Sequence, residues 1–219
     1  MKSDLLAKYY ALSAATYDSV NEIEERLDDV ADLEDEVAEL LAGHKVLELA
    51  CGTGCWTQVI ADVAESVHAI DFSPEMLAEA AKLELDPAQV QFSLADAYDL
   101  PDSIVKPGQY TAVFAAGWWS HVKREDQERF LKHLRAKVGS DVLLVLIDSS
   151  YVDGATLVFA RTDLEGNTFQ IRTAPNGERI EVLKNYPTDS TLRKKLATAA
   201  RNVRVDRLEY FYLLTCRLK

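Results

Sequence analysis

The chain has 219 residues, 48% of them apolar and 27% charged, with a formal net charge of −12 at pH 7. This composition excludes a disordered or fibrous protein and suits one α/β domain with a modest cap, since domains run to about 100–200 residues. The acidic balance argues against nucleic acid as the main partner, because such binding uses Lys and Arg to displace counterions, and three cysteines without a CxxC pair exclude a disulfide framework or structural zinc site.

Met1-Lys2-Ser3-Asp4-Leu5 has no long apolar core, and no run approaches about 18 apolar residues, so neither export nor a membrane span is expected and a cytoplasmic setting fits. Residues 4–14 form a short predicted helix and 32–41 an acidic amphipathic one stopped at Gly43, together a helical cap over 1–43. From residue 45, β-rich runs alternate with helical patterns, as in βαβ units that feed a parallel sheet. Strands are predicted at 45–50, 66–71, 90–94, 110–115 and 141–148, and helices at 57–65, 74–83 and 124–138, with Pro74 a start and Gly139 a stop. Two further β-runs, 167–173 and 178–185, flank Ala174-Pro175-Asn176-Gly177, a turn sequence that predicts an inserted hairpin. A helix at 190–200 precedes two runs, 203–208 and 210–218, which can pair antiparallel at the sheet edge. The expected fold is a doubly wound, mostly parallel seven-stranded α/β sheet with an antiparallel last strand. It forms one domain: cap 1–43, core 44–148, insertion 149–187 and closing segment 188–219.

Val46-Leu47-Glu48-Leu49-Ala50 runs into Cys51-Gly52-Thr53-Gly54, and a helical pattern starts at Trp56-Thr57. Glycines between a strand and a helix tolerate unusual backbone angles and let N–H groups face a ligand. Asp71 ends the next strand, where an acid can accept hydrogen bonds from ribose hydroxyls. Loop and acid together imply an adenosine-type ligand. The dinucleotide fingerprint G-x-G-x-x-G requires a small residue at position 57, where Thr57 stands, which weakens a nicotinamide reading. Cys51 and Cys55 read as small buried filler, and no metal site is expected.

Residues 46–54 resemble the first motif of class I S-adenosylmethionine-dependent methyltransferases. Ala69-Ile70-Asp71-Phe72-Ser73-Pro74-Glu75-Met76-Leu77 is similar to the second motif, and Ser93-Leu94-Ala95-Asp96-Ala97 to the adenine-contacting segment. The resemblance covers residues 45–148 and implies S-adenosylmethionine as cofactor and S-adenosylhomocysteine as product. It places Gly52 and Gly54 against the methionine and ribose portion, with Ala50, Cys51 and Trp56 as further cofactor positions. Glu48 would orient the loop or the cofactor ammonium, and Asp71 would bind the ribose. Asp96 would accept from the adenine amino group, the Ala97 N–H would donate to the ring, and Phe72 and Met76 would flank the base.

Phe114-Ala115-Ala116-Gly117 followed by Trp118-Trp119-Ser120-His121-Val122 lies at the carboxyl edge of the fourth strand, where open α/β sheets place ligands. By the same resemblance Ala115 and Ala116 hold the cofactor methionine, while Trp118, Trp119 and His121 face the methyl acceptor. A flat aromatic wall suits an apolar or cationic acceptor. His121, with an unperturbed pKa of about 6.5, is the candidate base, and helix capping is its structural alternative. The segment from Lys8-Tyr9-Tyr10 to Tyr17-Asp18 resembles the family's lead helix, with Tyr17 facing the cofactor and Tyr10 the acceptor. The hairpin and Tyr186 would form the opposite wall. The expected activity is in-line methyl transfer to an oxygen or nitrogen of a small-molecule acceptor, with no nucleic acid or membrane partner. Transfer to carbon or sulfur, and a non-catalytic cofactor-binding module, stay open as alternatives, as does the oligomeric state.

Overall fold

The computed structural model describes residues 4–21 and 23–219. Met1, Lys2, Ser3 and Glu22 of the predicted cap lie outside the described residues. The first five strands are β1 (Lys45–Leu49), β2 (Ser66–Asp71), β3 (Val90–Leu94), β4 (Ala112–Ala116) and β5 (Leu143–Ser149). A small separate sheet follows, built of β6 (Arg161–Thr162), β7 (Thr168–Thr173) and β8 (Arg179–Leu183), and the chain closes with β9 (Ala200–Arg207) and β10 (Phe211–Leu218). The large sheet has the order β3-β2-β1-β4-β5-β10-β9, all parallel except β10, which runs antiparallel to both neighbours. Strands buried on both faces read as continuous apolar runs, and Leu143, Leu144, Val145, Leu146 and Ile147 of β5 are all buried.

Helices cover both faces: α1 (Asp4–Ser13), α2 (Tyr17–Asn21), α3 (Leu27–Leu41), α4 (Cys55–Ala61), α5 (Pro74–Ala80), α6 (Gln127–Val138) and α7 (Asp189–Leu196). On one face Leu33, Val37 and Leu41 of α3 pack with Ile60 against Val46, Phe114 and Val145. On the other, Phe130, Leu131 and Leu134 of α6 and Leu196 of α7 pack against Leu47, Val113 and Leu144. The strand order reverses between β1 and β4, so the crevice at their carboxyl ends is the topological switch point where this architecture accepts ligands.

Several boundaries differ from the sequence expectation. Helix α4 starts at Cys55, because Gly54 at φ 84° turns the chain directly into it, and ends at Ala61 rather than 65. Helix α3 starts at Leu27 rather than 32, where Asp28 and Asp29 in its first turn complement the helix dipole. Helix α7 stops at Leu196, freeing β9 to begin at Ala200. The inserted hairpin gains a third strand, since Ala160 N–H donates to Phe169 O (2.7 Å) and Arg161 pairs with Glu181 (2.7 Å). The cap is fastened across the molecule: Lys8 pairs with Glu178 before β8, and Asp29 accepts from the Tyr210 N–H (2.7 Å). Among the described residues no helix is long and apolar enough to cross a membrane.

Candidate functional site

The loop after β1 takes three left-handed positions, Ala50 (φ 53°), Gly52 (φ 59°) and Gly54 (φ 84°). The two glycines serve different ends. A Cβ at Gly54 would stand 2.6 Å from Leu83 Cδ1 and 3.3 Å from Ala80 Cβ, whereas at Gly52 it would meet nothing within 4 Å. Gly52 thus leaves its backbone open toward the crevice, and Gly54 lets the loop pack down on the end of α5. Asp71 braces the loop, its Oδ2 accepting the Gly52 N–H (2.9 Å) and its Oδ1 the Ser73 N–H (2.8 Å). Glu48 is buried and accepts from Thr57 Oγ1 at 2.7 Å. Burial, opposed by that hydrogen bond and reinforced by the charge of Asp71, pushes its carboxyl up to about 8. Asp96 accepts the Tyr98 N–H at 2.9 Å.

Glu48, Gly52, Asp71 and Asp96 line one end of a cavity of about 640 Å³, together with Ala50, Cys51, Trp56, Phe72, Met76 and Ala97. Tyr10, Tyr17 and Arg26 close over it from the cap, and Thr53 Oγ1 ties the loop to Asp18 of α2 at 2.7 Å. Ala116, Trp118 and His121 continue the wall after β4, and Asp148, Arg172, Leu183 and Lys184 complete it.

Four predicted site residues do not line this cavity. Gly54 acts beneath it in loop packing. Ala115, 1% exposed, alternates with Ala116 along β4 and joins the α6 side of the core. Trp119, also 1% exposed, packs toward Phe130 (6.4 Å between ring centroids). Tyr186 sits behind Lys184, with its ring against Tyr151 (5.7 Å) and Phe159 (5.9 Å). The small sheet does form the opposite wall, but through Arg172 and Leu183. Cys55 is exposed and lines the cavity rather than filling the core.

His121 belongs to a short 3₁₀ turn, Trp119–His121, rather than capping a helix. Its Nδ1 donates to Leu183 O, which can only accept, so the lone pair lies on Nε2, 2.9 Å from Tyr10 Oη. Burial, followed by the charges of Lys184 and Arg172, holds its pKa down to about 3, so the ring is neutral at pH 7. Lys184 Nζ donates to Asp148 Oδ1 at 2.8 Å, and the carboxylate also accepts the N–H groups of Ser120 (2.7 Å) and Ser149 (2.8 Å). Burial would raise Asp148, but the charge and hydrogen bond of Lys184, with His121 and the Ser120 N–H, together keep the carboxyl below its ordinary range. Arg172 is half-buried and has no ion-pair partner among the described residues; its guanidinium lies 5.4 Å from the Tyr9 ring centroid.

Sequence reasoning missed Asp148, Arg172, Lys184 and Arg26. Asp148 carried a usable signal, an acid ending a predicted strand at the ligand edge. Arg172 and Lys184 read as ordinary polar positions of β-runs. No group of three or more potential metal ligands occurs among the described residues.

A family model described as a methyltransferase domain matches residues 46–139. No curated protein matches the sequence. Among solved structures, a DhpI–SAH complex shares 30% identity over 98% of this chain and 96% of that one, with a TM-score of 0.75. A DhpI–SAM–HEP complex shares 28% identity over 99% and 100%, with a TM-score of 0.77. The [4+2]-cyclase SpnF, at 16% identity over 97% and 94% and a TM-score of 0.67, is alike in fold alone. Strand order, glycine loop and full-length likeness agree, and the chain belongs to the class I S-adenosylmethionine-dependent methyltransferases.

Proposed function

We propose that this protein transfers the methyl group of S-adenosylmethionine to an oxygen or nitrogen of a small molecule. The observation that carries the reading is one continuous cavity, running from the Gly52–Asp71 loop to His121 under Tyr10 and Tyr17. Its volume of about 640 Å³ falls in the usual range for small-molecule sites, about 300–1,000 Å³. The residues fit the cofactor: Gly52 leaves space where any side chain would project, and Asp71 lines the cavity beside it with a carboxylate, a group that accepts from ribose hydroxyls.

When bound, the cofactor supplies a methyl group already activated on a sulfonium. The chain's part is to hold and align. Gly52, Ala50 and Ala116 support the methionine portion, Asp71 takes the ribose, and Asp96 with the Ala97 N–H takes the adenine between Phe72 and Met76. Tyr17 covers the cofactor, and Tyr10, Trp118 and His121 face the acceptor. Alignment at near-attack distance is worth about 7–11 kcal/mol. His121 is the candidate catalytic residue, serving as a neutral hydrogen-bonding group beside the nucleophile. Held near pKa 3, it is a weak base, and that favours as second reading a cofactor-binding protein without methyl transfer.

Incubation with S-adenosylmethionine and a panel of small acceptors, followed by chromatography of S-adenosylhomocysteine, tests the reading. Acceptor-dependent product formation supports it, and cofactor binding without product across the panel favours the second.

A further inference from the structure

Among the described residues, the acceptor end of the cavity carries more positive than negative side chains, in a chain whose net charge is −12. Lys184 is neutralised by Asp148, the two side chains being 6% and 0% exposed and 2.8 Å apart. Arg172, on the same wall, has no carboxylate partner among the described residues. Arg26 enters from the cap, and its Nε is buried without a hydrogen-bond partner among the described residues. The Arg172 charge bears on Tyr10, Tyr17 and His121, the groups at the acceptor end, so a cationic acceptor would meet repulsion there despite the Trp118 ring. A guanidinium held in a cavity wall without a counter-ion is costly unless a ligand completes it. Its planar fork of donors matches two oxygens of one acid.

We propose that the methyl acceptor is a small oxyanion, a carboxylate or a phosphate-, phosphonate- or sulfonate-type acid, anchored by Arg172 and methylated on one of its own oxygens. This rests on the methyltransferase reading and names its substrate class. An oxygen lone pair forms the new O–CH₃ bond as the C–S bond breaks, and that bond's electron pair stays on sulfur. Acceptor and sulfonium each lose one unit of charge together, and no proton has to be placed. The site matches this requirement: His121 Nε2 already faces the Tyr10 hydroxyl, and a neutral imidazole is sufficient for an acceptor that arrives deprotonated. This proposal differs from the apolar or cationic acceptor expected from the tryptophans.

The test is calorimetric titration of the protein saturated with S-adenosylhomocysteine. The probes are inorganic phosphate, methylphosphonate, methanesulfonate and phenylacetate, with phenylacetamide and dimethyl methylphosphonate as neutral controls. At least one anion should bind with Kd below about 1 mM and its neutral counterpart at least about tenfold more weakly. Arg172→Met should weaken the anion by at least about tenfold and Arg172→Lys by less, while S-adenosylhomocysteine affinity changes under about twofold. Arg172→Gln serves if the methionine variant does not fold. Failure of every anion to bind, or equal binding of the neutral controls, would overturn the proposal. So would a parallel loss of S-adenosylhomocysteine affinity in Arg172→Met, which would assign the guanidinium to the cofactor's own carboxylate. Absence of S-adenosylhomocysteine binding to the unaltered protein would instead overturn the methyltransferase reading beneath it.

Discussion

Tyr10 Oη lies 2.9 Å from His121 Nε2, a contact between residues 111 positions apart that joins the cap helix to the loop after β4. The cap is therefore part of the site. Tyr10→Phe is expected to destabilise the fold by about 1 kcal/mol, the net worth of one hydrogen bond. His121→Ala should cost more, because it also orphans the Leu183 carbonyl. In urea unfolding of both single variants and the double variant, a coupling of about 0.5–1.5 kcal/mol is expected, whereas additive effects would show that the contact does not form.

Glu48 and His121 give stability opposite pH dependences. Glu48 has its carboxyl raised from 4.5 to about 8 in the fold, so its contribution is complete below about pH 4.5 and is lost as pH rises toward 8. His121 is depressed from 6.5 to about 3, so its contribution is present above pH 6.5 and is lost as pH falls toward 3. Between pH 6.5 and 8 the Glu48 effect acts alone of the two, at up to about 1.4 kcal/mol per pH unit. Glu48→Gln is expected to flatten the stability profile over that interval, and a profile unchanged by the substitution would contradict the buried, protonated carboxyl.

The two loop glycines should separate cleanly. Gly54→Ala places a methyl group 2.6 Å from Leu83 Cδ1 at φ 84°, and is expected to lower stability by about 1–3 kcal/mol. Gly52→Ala meets no neighbour, so its structural cost is the backbone strain, about 1 kcal/mol, while the methyl group enters the crevice. The expected outcome is a larger Tm loss for Gly54→Ala and a larger loss of S-adenosylhomocysteine affinity for Gly52→Ala. The reverse pattern would exchange their roles.

The tryptophans should separate in the same way. Trp118 lines the cavity while its ring centroid lies 4.4 Å from that of Phe130, and Trp119 is enclosed with Nε1 unpartnered among the described residues. Trp119→Phe should alter stability without changing acceptor KM, and Trp118→Ala should raise acceptor KM. Steady-state kinetics with the first acceptor identified would check both.

The end of the cavity at the Gly52–Asp71 loop was legible because local backbone demands dictate it: a strand, a glycine-bearing turn, a helix start, and an acid at the end of the next strand. The acceptor half depends on how distant segments meet. His121 and its partner Leu183 are 62 positions apart, and the β7–β8 insertion aims Arg172 at the cavity while Tyr186 folds away with Tyr151 and Phe159. Trp118 precedes and Trp119 opens a turn of three residues, too short for any periodicity to tell the cavity-facing ring from the buried one. Gly54 shared a motif with Gly52, and only the position of Leu83 distinguishes their tasks.

The most direct test is calorimetric titration of the protein with S-adenosylhomocysteine and separately with NAD, repeated on Asp71→Ala. Binding of S-adenosylhomocysteine at about micromolar Kd or tighter, weakened by the substitution, with no heat from NAD, is the predicted result. Binding of NAD instead, or of neither ligand, would contradict the assignment of the Gly52–Asp71 loop and every role built around it.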